Sequence, residues 1–138
     1  MILLDTDILT LLLAGDERVV RRARAATEPV ATTVISRAEI LRGRVDFLLK
    51  AEEGEQVRRA CLLLERSERD LMQLATVSFD DRAVAEFDRL REDRKLRRIG
   101  RADLLIAAIA LANRATLVTR NLRHFRPIAG LTLDNWAD

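Results

Sequence analysis

Apolar residues fall along this chain in two alternating rhythms. Short runs bounded by polar residues, Ile2–Leu4, Pro29–Thr33, Leu74–Val77 and Ala115–Thr119, read as buried strands, with Leu131–Leu133 a shorter final one. Between them the apolar positions recur at helical spacing. Ile8–Leu13 forms a short helix stopped near Gly15, and Asp16–Ala26 a charged one. A helix from about Val34 to Arg42 ends at Gly43. From about Val45 to Leu74 the pattern gives a helical hairpin or one long helix, with Gly54 as the break. Ser78 to about Leu96 is helical, with Ala83, Phe87 and Leu90 on one face, and Arg101–Asn113 is a second, far more apolar helix. Strands alternating with helices predict an α/β fold: a mostly parallel sheet of four to five strands covered by helices on both faces, a three-layer α/β/α sandwich.

Composition narrows the picture only slightly. The 138 residues suit one domain, expected to span 1–138, since no linker, repeat or low-complexity tract interrupts them. Formal charge is nearly balanced at +2, and every cationic residue except Lys50 and Lys95 is arginine, the side chain that matches phosphate oxygens bidentately. Aromatics are 4% and Tyr is absent, which argues against a base-stacking platform. Cys61 is alone, so no intrachain disulfide forms. The amino terminus lacks a signal-peptide pattern and no apolar stretch reaches membrane-spanning length, so a cytoplasmic location is expected.

Candidate chemistry lies in carboxylates at strand ends. Met1–Leu4 runs straight into Asp5, and open α/β sheets bind ligands at the carboxyl ends of their strands. Asp7 suits the N-cap of the following helix. Glu39 fits a capping box with Ser36, yet its helix follows the second strand and so starts at the same sheet edge. Asp103 is the only ionisable group in Ala102–Ala112, where an unpaired carboxylate is expensive. Thr6 and Thr119 are expected to support the acids, and Asn121 offers a carbonyl oxygen as a candidate fourth position. His124, the only histidine, reads as a surface or packing residue. Without a His/Cys cluster, zinc is disfavoured. Oxygen-only ligands favour Mg²⁺ or Mn²⁺, and with it hydrolysis of a phosphodiester.

Four segments then carry a resemblance: the strand followed by Asp5-Thr6 and Ile8-Leu9, Ile35–Gly43 around Glu39, Asp103–Ala108, and Leu117–Asn121 with Phe125. In this order they resemble PIN-domain ribonucleases, specifically the VapC toxins of bacterial toxin–antitoxin pairs. Gly130-Leu131 and Trp136 are similar to that family's ending. The resemblance implies an RNA endonuclease dependent on Mg²⁺ or Mn²⁺, with Asp5, Glu39 and Asp103 as its acidic site. It also implies a homodimer and a cognate antitoxin protein. The family often has a fourth acid where this chain has Asn121, and Asp is frequent where it has His124, so a second metal ion is in doubt. Arg120, Arg123 and Arg126 flank the site and are expected to meet RNA phosphates. Two rivals stay open. Asp5-Thr6-Asp7 also resembles the haloacid-dehalogenase motif, with Asp5 as nucleophile, although Lys50 and Lys95 fall outside the positions that chemistry needs. A PIN-like binding module without catalysis is the other, kept open by Asn121.

Overall fold

Leu3 and Leu4 are neighbours in the first strand and both are fully buried, but on opposite faces of a sheet. That double burial requires helices on both sides. The computed structural model describes residues 1–138 and supplies them. The strands are β1 (Ile2–Leu4), β2 (Val30–Thr33), β3 (Ala75–Val77), β4 (Thr116–Val118) and β5 (Thr132–Asp134). The helices are α1 (Thr6–Leu13), α2 (Glu17–Ala25), α3 (Val34–Lys50), α4 (Gly54–Met72), α5 (Asp81–Glu92), α6 (Arg101–Ala112) and α7 (Leu122–Phe125), with a 3-10 turn at Arg94–Leu96. All strand pairings are parallel, in the order β3-β2-β1-β4-β5. The predicted α/β class and two-sided covering are therefore found.

Each face has its own core. Leu3, Ala31 and Leu117 meet α5 and α6 through residues such as Leu90, Ile106 and Ala110. Leu4 and Val118 meet α1, α2 and α4 through Ile8, Leu9, Val19 and Leu71, with the C-terminal Trp136 closing that side. The Trp136 indole N–H donates to Asp134 Oδ2 at 3.1 Å, and Arg22 pairs with the same oxygen at 2.9 Å. The chain turns outward from β1 in two directions, first to β2 and β3, then back to β4 and β5. The crevice between the carboxyl ends of β1 and β4 is thus the switch point at which such sheets place their ligands.

Several boundaries differ from the sequence expectation. The helix expected to end at Gly43 continues to Lys50. One interior glycine costs about 1 kcal/mol, and α3 offsets it by packing along α4, where Arg44 Nε donates to Ser67 Oγ at 2.9 Å. The break falls at Ala51–Glu53, where Glu53 and Gln56 form a capping box, so the region is a hairpin with Gly54 opening its second arm. The predicted Ser78–Leu96 helix is shorter at both ends, because Asp80 caps α5 and Asp93 starts the 3-10 turn.

Candidate active site

The site begins with register. Leu4 lies between Thr32 and Val118, so the next residue out of β1, Asp5, sits between the ends of β2 and β4. α1 starts immediately at Thr6, with no linker, and this reverses one sequence expectation. Asp5 itself is the N-cap residue, its Oδ1 accepting from the Thr6 N–H at 2.8 Å. Asp7, expected to be the cap, lies in the first turn. Its Oδ1 accepts from Ile8 N at 2.7 Å, and its Oδ2 from Arg120 N at 3.2 Å. Asp7 therefore ties α1 to the segment after β4.

Thr119, fully buried just beyond β4, donates its hydroxyl to Asp5 Oδ2 at 2.7 Å and accepts from Asn121 N at 3.0 Å. Thr119 thus holds one oxygen of Asp5. Glu39 is brought to the same edge, but not by a capping box with Ser36. The Thr33 hydroxyl caps α3 by accepting from Ser36 N at 3.1 Å, which leaves Glu39 in the second turn. There its Oε1 accepts from the Thr6 hydroxyl at 2.6 Å, and Ser36 Oγ lies 3.0 Å from the same hydroxyl. Asp103, in the first turn of α6, accepts at Oδ2 from His124 Nε2 at 2.9 Å. This contact was missed in reading His124 as a surface or packing residue. The available signal was its position in the short turn that follows a strand ending at the site. Asn121 is exposed and reaches the site through its backbone N–H, and its side chain makes no hydrogen bond with the acids.

These carboxylates share one electrostatic environment. Burial pushes the Asp5 carboxyl up from 3.8 to about 6, opposed by the Thr119 hydroxyl and reinforced by the charges of Asp7 and Asp103. Burial also raises Asp103; His124 opposes the rise, while Glu39 and Asp7 add to it. Asp7 is raised by burial against the pull of its backbone hydrogen bonds and Arg120. Asp5, Asp7 and Asp103, from two separate segments, are therefore all held above the ordinary carboxylate range.

That is the chemistry of a cation site with hard oxygen donors. As the side chains stand, no three His, Cys, Asp or Glu residues are gathered closely enough to hold an ion. One oxygen of Glu39 is held by the Thr6 hydroxyl and one of Asp103 by His124. The donor set fits Mg²⁺ or Mn²⁺ in kind, and Glu39 Oε2 and Asp103 Oδ1 are left outside those two hydrogen bonds.

The rival phosphatase arrangement finds no support in the geometry. Lys50 ends α3 and Lys95 lies in the 3-10 turn, and the two oxygens of Asp5 are held by Thr6 and Thr119 instead. Of the flanking arginines, Arg120 lies 3.8 Å from Asp138, while Arg123 and Arg126 are exposed on α7 and just after it.

Comparison with known proteins settles the family. The PIN domain pattern matches residues 2–131, nearly the whole chain. The chain belongs to the PIN-domain family. Ribonuclease VapC2 of Rickettsia felis is 38% identical over 68 residues. That match takes in 48% of this chain and 51% of the relative, so the chain spans about half the length of the curated relative it matches. Over the whole fold, it superposes with a TM-score of 0.77 on VapBC2 from Rickettsia felis bound to a DNA fragment from their promoter, at 28% identity and 99% coverage of both chains. FitAcB from Neisseria gonorrhoeae gives 0.77 at 29% identity, covering 98% of this chain and 97% of that one.

Proposed function

We propose that this PIN domain is a metal-dependent RNA endonuclease acting as the toxin of a VapBC-type toxin–antitoxin pair. The observation that carries the reading is the convergence of Asp5, Glu39 and Asp103 from β1, α3 and α6 on the switch point of the sheet, with Asp7 beside them. Mg²⁺ or Mn²⁺, when bound by Asp5, Asp103 and Glu39, would stabilise developing phosphate charge and activate water.

The chain's own residues do the positioning. Thr119 fixes the Asp5 carboxylate against rotation, and the Thr6 N–H holds its other oxygen. Thr6 bridges α1 and α3 by holding Glu39. His124 holds Asp103 at the mouth of α6. Arg120, Arg123 and Arg126 supply cations beside the acids, suited to the phosphates of a bound RNA. One structure that the chain superposes on, VapBC-5 from Mycobacterium tuberculosis, is described as a member of the VapBC family of toxin-antitoxin systems, which supports a cognate antitoxin as partner, and a homodimer is the assembly we infer. No helix is long and apolar enough to cross a membrane. The reading places the protein in the cytoplasm, where its RNA substrate is.

The test is incubation of the pure protein with total RNA and with transfer RNA, in Mg²⁺, in Mn²⁺ and in chelator. Cleavage that requires the metal is expected. Hydrolysis of small phosphate esters through an aspartyl-phosphate at Asp5 would contradict the reading.

A further inference from the structure

The ion pairs of α5 stop at Arg91, 3.3 Å from Asp88. From Asp93 to Asp103 the chain then carries Arg94, Lys95, Arg97, Arg98 and Arg101 without one intervening carboxylate. Asp93 is occupied in capping the turn, its Oδ1 accepting from Lys95 N at 2.9 Å. Arg94, Lys95, Arg97 and Arg98 are exposed and enter no ion pair. Two other carboxylate-free stretches, Glu17 to Glu28 and Asp103 to Asp134, carry four arginines each, but one in each is ion-paired, Arg22 and Arg120; here none is.

The segment is also rigid and well placed. Leu96 and Ile99 alternate with the cations and are buried, at 2% and 8% exposure, so the backbone is pinned to the core while the charges point outward. Arg101 is held over the Phe87 ring at 5.8 Å. The segment leads directly into the first turn of α6, where Asp103 sits. At about 3.5 Å per residue at most, Arg98 lies within about 17 Å of Asp103 and Arg94 within about 31 Å. Side chains there reach phosphates a few nucleotides from a bond held at the acids.

We propose that the segment Arg94–Arg98 is the substrate-backbone clamp of this enzyme, binding the phosphates of single-stranded RNA that flank the cleaved bond. The proposal rests on the nuclease reading above and adds to it the surface that holds the substrate. Arginine forks and one lysine on a fixed turn suit phosphate without reading bases, and the scarcity of aromatics leaves electrostatics as the source of affinity.

The test measures binding of a fluorescein-labelled 16-nucleotide RNA by anisotropy, in chelator, across a salt series. Three variants are compared with the wild-type chain. One carries Arg94→Gln, Lys95→Gln, Arg97→Gln and Arg98→Gln. The second carries Arg21→Gln, Arg24→Gln, Lys50→Gln and Arg69→Gln, the same change in net charge at exposed, unpaired positions elsewhere. The third replaces Arg94, Arg97 and Arg98 by Lys. The first is expected to bind at least about tenfold more weakly, with a salt slope smaller by roughly 3, since each lost phosphate contact removes about 0.7. The second and third should keep close to the wild-type slope. Equal losses in the first and second, or no loss in either, would overturn the clamp while leaving metal-dependent cleavage by the wild-type protein intact. A wild-type chain that neither binds nor cleaves RNA would remove the nuclease reading and the clamp with it.

Discussion

Replacing Asp5 with Asn should make the metal-free protein more stable while abolishing its chemistry. Asp5 is 6% exposed and its carboxyl is pushed from 3.8 to about 6 by burial and by Asp7 and Asp103. Ionising it in the folded chain at neutral pH therefore costs about 3 kcal/mol relative to the unfolded chain. The sign follows from proton counting. Between pH 3.8 and 6 the folded chain holds a proton that the unfolded chain has lost, so this group's contribution to stability falls as pH rises through that window. Asn carries no such cost. It keeps the acceptor for the Thr6 N–H, but its amide now meets the Thr119 hydroxyl, which must turn; about 1 kcal/mol is lost there. The expected net gain at pH 7.5 in chelator is about 2 kcal/mol, or about 6 °C in Tm for a chain of this length. The assay is thermal unfolding of both proteins from pH 3.5 to 8 in chelator. The gain should vanish on acidification and become a loss of about 1 kcal/mol below pH 4, where only the Thr119 mismatch remains. An Asp5→Asn protein less stable than wild type at pH 7.5, or a gain that does not change with pH, would refute the reasoning.

Other perturbations separate the site from its scaffold. Thr119→Val leaves Asp5 Oδ2 and the Asn121 N–H without their partner; it should cost about 1–3 kcal/mol in unfolding and move the acid limb of the pH–activity profile upward, because a hydrogen bond that lowers the Asp5 pKa is gone. Adding Mn²⁺ should raise the Tm of the wild-type chain and hardly that of Asp5→Asn, and a chelator should reverse the rise. Arg114 ends α6 with φ 49°, donating to Leu111 O at 3.1 Å while Ala115 donates to Ala110 O at 2.9 Å, so Arg114→Gly should stabilise by about 1 kcal/mol in thermal unfolding. The Thr76 hydroxyl in β3 is buried without a partner, and Thr76→Val should add roughly 1 kcal/mol without altering cleavage.

The strands were legible because a parallel sheet covered on both faces needs unbroken apolar runs, and Ile2–Leu4 and Ala115–Thr119 are such runs bounded by polar residues. Asp5 and Asp103 were legible for a related reason, each being a carboxylate where burial makes carboxylates costly. Local capping was less readable. Val30 to Ile35 is a continuous stretch of small and β-branched residues, so nothing in it marks where β2 stops and α3 starts, and Ser36 with Glu39 imitated a cap that Thr33 provides. Asp5 took the capping role expected of Asp7 because α1 begins with no linker at all. Gly43 imitated a helix end because the packing of α3 along α4 has no local signature. The His124–Asp103 contact joins residues from α7 and α6 across β4, and no spacing rule reports it.

The most direct test of the central claim is single-turnover cleavage of an end-labelled RNA in Mn²⁺ by the wild-type chain, Asp5→Asn and Asp103→Asn, each first shown to be folded. Altering groups that merely surround a metal costs about 10–100-fold, so replacing either proposed ligand should slow cleavage by about 100-fold or more, and chelator should stop the wild-type reaction. Cleavage that persists at the wild-type rate in both variants would contradict the assignment of the sheet-edge acids as the catalytic centre.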